Sequence, residues 1–307
     1  MSSSSSGKVV YAAMAANAGI AATKFIAGAI TGSSAMISEA IHSVIDTGNQ
    51  ALLLLGMHRS HKPPDEVHAF GHGKELYFWS LIVAIMLFGV GGGMAFYEGI
   101  THLLQPHALE DARWAYAVLA IAFVFEASSF TIALREMHRR RGKRTLLAAV
   151  HRSKDPAVFT VLFEDSAALA GLLVAFLGVF LGHRFENPYF DGAASVLIGL
   201  ILAAVALVLA YESRGLLVGE SAATAVVESI ASIAGADQAV AAASSPLTMH
   251  LAPREVLLNL EVEFRPGVSA EEQLCAIDRI EERIREKHPE VTRIFIEARR
   301  ATGAPAA

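Results

Sequence analysis

The sequence predicts an α-helical membrane protein of six spans followed by a small α+β domain. Three observations carry that prediction. Of 307 residues, 53% are hydrophobic and only 18% charged, below the roughly one-quarter charged content of soluble domains, and the mean hydropathy is +0.44. Long apolar runs recur six times before Tyr211. After it the charges thicken, and no run is long enough to cross a bilayer.

Residues 1–7 carry a serine run without the charged start, short apolar core and cleavage site of a signal peptide, and read as a disordered tail. The membrane domain then occupies 8–215. A hydrocarbon core of roughly 30 Å needs about 20 helical residues, and runs of that order lie near 9–30, 35–57, 76–103, 114–134, 157–181 and 192–211. Between the first two stands Thr31-Gly-Ser-Ser34, a turn that makes them an antiparallel hairpin.

The soluble domain is expected over 216–300, with a tail at 301–307. Residues 221–234 have a helical pattern that stops at Gly235. A strand around 240–251 precedes a second one, in which Leu258, Leu260, Val262 and Phe264 alternate with polar Asn259, Glu261 and Glu263. Arg265-Pro-Gly267 is a turn, and Ser269 with Glu272 forms a capping box for a helix reaching about Lys287. A strand over 291–296 completes an α-β-β-α-β order, a small open sheet with helices on one face.

Lysine and arginine set the orientation. The connection after the second span holds Arg59, Lys62 and Lys74, and the one after the fourth holds Arg135, Arg139, Arg140, Arg141, Lys143, Arg144, Arg152 and Lys154, whereas the opposite connections hold little beyond Arg113 and Arg184. Basic loops stay inside, so both termini and the soluble domain are expected in the cytoplasm. The run at 139–144 reads as this anchor together with lipid headgroup contacts. The single Cys275 excludes an intramolecular disulfide and a Cys-rich metal site. A net charge of -5 gives no nucleic-acid footprint. With no transit peptide visible, the default membrane is a bacterial cytoplasmic one.

Ionisable groups inside spans are the informative residues, because each costs about 2.5 to 3.5 kcal/mol to insert at mid-bilayer. His42 and Asp46 are four apart and stack on one helix face, close enough to share an ion. Glu164 and Asp165 are adjacent in the fifth span, so their side chains diverge by about 100°. An imidazole and carboxylates from two helices suit a divalent cation such as Zn²⁺. The alternatives are a buried polar network that locks helices together, or a proton relay without metal. Glu39 is read as supporting the site or facing an interface, and Glu98 and Glu126 as structural.

A second cluster lies in the loop Asp65-Glu-Val-His68-Ala-Phe-Gly-His72-Gly-Lys74. An Asp and two His within eight residues can wrap one metal, with Gly71 and Gly73 letting the backbone curl.

Thr31-Gly-Ser-Ser-Ala-Met-Ile-Ser-Glu-Ala-Ile-His-Ser43 followed by Asp46, the His68-Ala-Phe-Gly-His-Gly-Lys74 loop and Asp191-Gly192 together resemble the cation diffusion facilitator family of heavy-metal transporters. The resemblance covers nearly the whole chain. It is greatest to the branch containing the mitochondrial zinc transporter, on 41–50 and on Leu162-Phe-Glu-Asp-Ser-Ala-Ala168. It implies a ferredoxin-like cytoplasmic domain and a homodimer. It also implies export of Zn²⁺, or of Fe²⁺, Mn²⁺ or Co²⁺, from the cytoplasm by proton antiport and alternating access. The ion is then a transported substrate, and the chain is no enzyme and has no catalytic residues or cofactor. In family terms His42 and Asp46 match the second-span ligand pair, and Asp65, His68 and His72 match a loop metal site.

Two departures stand out. The family's fifth-span pair is His/Asp-x-x-x-Asp, and with Asp165 as its second member the first falls on Val161, leaving Glu164 as the substitute ligand. In the soluble domain, the positions where relatives carry histidines align with Glu261, Leu274 and Glu297, while His250 and His288 do not match them. That domain is therefore expected mainly to dimerise. The competing class of function is a metal-responsive membrane scaffold or sensor without transport, and a third is a channel.

Overall fold

The computed structural model describes residues 3–106, 112–141 and 154–299. The chain divides into two units, one built from Met1–His58 and Leu76–Arg214, the other from Arg59–Glu75 and Gly215–Ala307. The segment Arg59–Glu75, expected as a connection within the membrane domain, thus groups with the C-terminal unit.

The helical unit contains, among the described residues, six long helices: α1 (Ser3–Thr31), α2 (Ser34–Ser60), α3 (Glu75–Leu104), α4 (Ala112–Arg141), α5 (Pro156–Phe185) and α6 (Tyr189–Val218). Among the described residues, four stretches, Glu75–Leu104, Ala115–Ile132, Phe159–Phe185 and Tyr189–Val218, are long and apolar enough to cross a membrane. Helix α2 falls outside that set. In α2 the reason is composition, since it buries Glu39, His42, Asp46 and Asn49 along with its apolar side chains. Helix α1 begins at Ser3, so the tail expected over 1–7 is helical from its third residue; once a long helix is nucleated, extending it by a residue costs little. Of the basic run after α4, 139–141 lie on the helix and Lys143, Arg144 and Arg152 outside the described residues.

The α1–α2 turn forms where its sequence requires it. Gly32 takes φ +66°, the left-handed conformation glycine adopts without strain, and its N–H reaches the Gly28 carbonyl at 2.9 Å. Ser33 then caps α2, its Oγ accepting from the Met36 N–H at 3.2 Å.

Within α3, residues Leu87–Gly92 widen into a π-helical turn that the sequence reading did not anticipate. Glycines pack this helix tightly on α6. A methyl on Gly92 would lie 3.1 Å from the Gly199 carbonyl, and one on Gly199 would lie 2.7 Å from the Phe96 nitrogen. One on Gly192 would lie 3.0 Å from Leu103, so small residues set this helix–helix distance.

The C-terminal unit is a four-stranded sheet with two helices: α7 (Thr224–Gly235), β1 (Val240–Ala243), β2 (Leu247–Ala252), β3 (Glu255–Phe264), α8 (Ala270–Lys287) and β4 (Val291–Arg299). The single strand expected around 240–251 is two. Ser244-Ser-Pro246 interrupts it, because proline has no N–H to give the ladder. Strands β1 and β2 lie end to end, antiparallel, along one edge of β3, and β4 runs parallel along the other. Val256, Leu258, Leu260, Val262 and Phe264 all point to one buried face, where Ile230 and Ala234 of α7 and Ala276, Ile280 and Ile284 of α8 cover them. Half of the expected capping box forms: Ser269 Oγ accepts from the Glu272 N–H at 3.2 Å, while the Glu272 carboxylate turns instead to Arg279.

The grouping of Arg59–Glu75 with this sheet has a local cause. Gly73 sits so close to β2 that a methyl would lie 2.6 Å from the Leu251 carbonyl oxygen. Phe70 meets Phe295 of β4 edge to face, with centroids 6.3 Å apart.

Candidate functional site

At the α1–α2 turn, Asp191 from the first turn of α6 receives Ser33 Oγ at 2.5 Å, the Ser34 N–H at 2.6 Å and Ser34 Oγ at 2.9 Å. His102 Nδ1 stands 3.1 Å from the same carboxylate. A fully buried carboxylate on the N-terminus of α2 satisfies donors that a helix cannot satisfy itself and complements its dipole. This gives Thr31-Gly-Ser-Ser34 and Asp191-Gly192 a shared structural role. They fix the helix that carries His42 and Asp46.

One helical turn separates those two residues, and His42 Nδ1 lies 3.5 Å from Asp46 Oδ1. His42 is 1% exposed, yet neither ring nitrogen has a hydrogen-bond partner among the described residues, and neither has Asp46 Oδ1. Buried polar atoms are almost always paired, so orphans clustered on one helix face mark a place made for something else.

A cavity of about 250 Å³ opens beside them, bordered by Ser43 and Asp46 of α2, Glu126 of α4, and Val161, Glu164 and Asp165 of α5. Glu164 Oε1 accepts from Asn49 Nδ2 at 2.7 Å, and Asp165 Oδ2 accepts from Ser129 Oγ at 2.9 Å. Each carboxylate is thus held by a neutral donor on another helix. The structure brings Asp46, Glu164 and Asp165 to one cavity and ties His42 to it through Asp46. It does not close the four into a cage of mutually adjacent donor atoms, since among the described residues that arrangement belongs to the loop cluster.

Lys24, from the apolar α1, was missed in the sequence reading. It is fully buried, donates to Glu39 Oε2 at 3.2 Å and to Ser43 Oγ at 2.7 Å, and so explains Glu39 as an ion-pair partner. Glu126, read as structural, borders the cavity. Each is an ionisable side chain inside an apolar run, the same sequence signal that marks Glu39.

In the loop, Asp65, His68 and His72 converge with donor atoms all within 4.8 Å of one another. Asp65 Oδ1 lies 3.1 Å from His68 Nδ1, and Oδ2 lies 3.3 Å from His72 Nε2. The His68 backbone N–H, 2.6 Å from Asp65 Oδ1, holds the Asp65 carboxyl below the usual carboxylate range, with the His68 ring and the Val67 N–H adding to it. Gly71 makes the curl possible with φ +88°. Gly73 serves packing.

In the sheet, Glu261 accepts from Arg299 at 2.6 Å and stands opposite Glu297 in the β3–β4 register. His288 Nε2 is 2.8 Å from Ser229 Oγ, the His250 N–H reaches the Glu220 carbonyl at 2.9 Å, and Leu274 is exposed on α8.

Comparison with known proteins places residues 10–218 in the family described as the cation efflux transmembrane domain. The mitochondrial proton-coupled zinc antiporter SLC30A9 of Mus musculus is 35% identical over 260 residues, covering 84% of this chain and 46% of its own length. Metal tolerance protein C4 of Arabidopsis thaliana is 31% identical over 191 residues, covering 62% of this chain and 42% of its own. The manganese efflux system protein MneP of Bacillus subtilis is 25% identical over 221 residues, covering 72% and 71%. The chain spans about half the length of the SLC30A9 proteins it matches.

Proposed function

Since the chain belongs to the cation efflux family, we propose that it is a divalent cation transporter that exports Zn²⁺, or a chemically close ion such as Mn²⁺, Fe²⁺ or Co²⁺, in exchange for protons. It is a multi-pass integral membrane protein on the side of the family that holds the mitochondrial zinc antiporters. The observation that carries the proposal is the cavity with its orphaned His42 nitrogens and Asp46 Oδ1 beside Glu164 and Asp165. An imidazole with three carboxylates is a donor set for a borderline to hard divalent ion, and Zn²⁺ comes first because it outranks Mn²⁺ and Fe²⁺ at sites with a histidine. Protons compete for the same donors, so binding on one side and acid release on the other follow from one site that faces each side in turn.

All six long helices span the membrane in this proposal. The polar load of α2 faces the bundle, where an ionisable group is useful. The order of helices and strands in the C-terminal unit, with β1 and β2 as one interrupted strand, supports a ferredoxin-like domain that pairs with a second copy in the cytoplasm. Asp65, His68 and His72 hold a second ion there.

A proton gradient imposed on proteoliposomes containing the full chain tests the proposal. Zn²⁺ flux should follow the gradient and stop in His42→Ala. Metal binding without flux would support the other class instead, a metal-responsive scaffold or sensor, to which the accessible loop cluster is equally suited.

A further inference from the structure

Glu126 stands on α4, a helix outside the α2 and α5 ligand pairs that the sequence reading assembled. We infer that Glu126 is a further ligand of the intramembrane ion, so that the site draws on three helices and accepts oxygen-preferring divalent cations more readily than it would without that carboxylate. The inference rests on the intramembrane metal site proposed above and adds the source of its selectivity.

Glu126 borders the same cavity as Asp46, Glu164 and Asp165. Among the described residues, no hydrogen bond or salt bridge engages its carboxylate. Asp46 is 9% exposed, lines that cavity and leaves Oδ1 without a hydrogen-bond partner, with only the His42 ring at 3.5 Å, and this leaves room for a ligand independently of the count of acids. Buried Lys24 donates its hydrogen bonds to Glu39 and Ser43 and not to these carboxylates. One turn beyond Glu126, on the same helix face, Ser129 holds Asp165 Oδ2 at 2.9 Å, so this face of α4 is already turned to the site.

The remaining donors complete the chemistry. Asn49 occupies one Glu164 oxygen and Ser129 one Asp165 oxygen, leaving each residue a second oxygen for an ion. With Glu126, carboxylates outnumber the single imidazole four to one. Tetrahedral Zn²⁺ gains little from a further oxygen beyond four ligands. An ion that takes six oxygens, such as Mn²⁺, gains most.

Calorimetry on the full chain in detergent tests this after Asp65, His68 and His72 are replaced by alanine, so that the loop adds no second equivalent. Glu126→Gln preserves shape and removes the charge. It should weaken Mn²⁺ binding at least about tenfold and Zn²⁺ binding by less, moving the preference toward Zn²⁺. Glu126→Asp, with its oxygens drawn back by one methylene, should fall between, and it decides the matter if the glutamine variant does not elute as folded protein. Unchanged affinity for both metals in the folded variant, or no metal bound by the loop-stripped parent, would overturn the inference. Flux separates it from the transport proposal. Weakened binding in a chain that pumps nothing leaves Glu126 a ligand and sinks transport. A Glu126→Gln protein that binds and pumps like the parent, while Asp46→Ala does not pump, leaves transport standing and sinks the ligand.

Discussion

Asp237 of the C-terminal unit is 4% exposed and receives two nitrogens of Arg279, at 3.0 and 2.9 Å. Asp46, Glu126, Glu164 and Asp165 of the helical unit instead share one cavity, where neutral Asn49 and Ser129 hold two of them. A buried carboxylate paired with its own guanidinium is complete, and breaking it only weakens the fold. Carboxylates to which, among the described residues, no lysine or arginine donates a hydrogen bond need protons or an incoming ion to be stable in a low dielectric. Under the transport proposal, the contrast separates acids that build this protein from acids that handle the ion.

The most direct way to break the contrast is to give the cavity a cation of its own. Val161 borders it beside Glu164 and Asp165. In Val161→Lys the ammonium should occupy the ion's place and cut metal flux at least about a hundredfold, equivalent to about 2.7 kcal/mol of lost ion binding, without lowering thermal stability. Asp46→Ala should lose flux to the same extent from the opposite cause, by deleting a ligand. Vesicle flux with melting curves in detergent reads both. A Val161→Lys protein that still pumps would mean the ion passes elsewhere.

Weaker perturbations sharpen the assignment. Glu164→Gln and Asp165→Asn each keep shape and one hydrogen bond, and each should reduce flux by about tenfold, or about 1.4 kcal/mol. Val161→His should move preference from Mn²⁺ toward Zn²⁺ by adding an imidazole. Competition flux with the two metals measures the shift. Near-normal transport by Glu164→Gln would make that residue a packing carboxyl held by Asn49.

Much of this contrast was legible in the sequence, but unequally. The loop cluster could be read whole, because Asp65, His68 and His72 lie within eight residues and local backbone geometry alone brings them together. The i,i+4 pair His42 and Asp46 was legible for the same reason. Glu126 was not, because its meaning depends on how α4 turns its face to α2 and α5, which no local pattern encodes. Nor was the partner of Asp191, since the sequence separates it by 157 residues from the Ser34 N–H it accepts. In the C-terminal unit, the alternation from Leu258 to Phe264 predicted the core face of β3, whereas the split of its neighbouring strand hung on a single Pro246.

The loop offers a milder test. Asp65→Ala should lower the metal stoichiometry by one and flux by only about twofold to threefold, since an accessible site can tune loading but does not carry the ion across. Because the His68 N–H keeps the Asp65 carboxyl below the usual carboxylate range, Asp65 stays ionised as the medium is acidified past the point where ordinary carboxylates protonate. Calorimetry on wild type and variant checks the stoichiometry.

The smallest effect on transport belongs to the completed pair, and it defines the other end of the contrast. Arg279→Ala leaves Asp237 buried with the Ala239 N–H as its remaining donor, at 3.1 Å, and should destabilise the C-terminal unit by about 1 kcal/mol, the usual cost of an under-satisfied buried group softened by the partial exposure of the arginine. The pH dependence has a definite sign. Arg279 hydrogen bonding holds the Asp237 carboxyl below its ordinary value, so the stabilisation is fully present above the unfolded carboxylate pKa of about 4 and is lost as pH falls through the lower, folded value. The gap between wild type and Arg279→Ala should therefore be constant near neutrality and close only under strongly acid conditions. Hydrogen exchange of α7 and α8 amides in the full chain measures it, with flux within about twofold of wild type because no ion visits this carboxylate. A large loss of flux with unchanged exchange would place Asp237 among the working acids and remove the distinction between the two units.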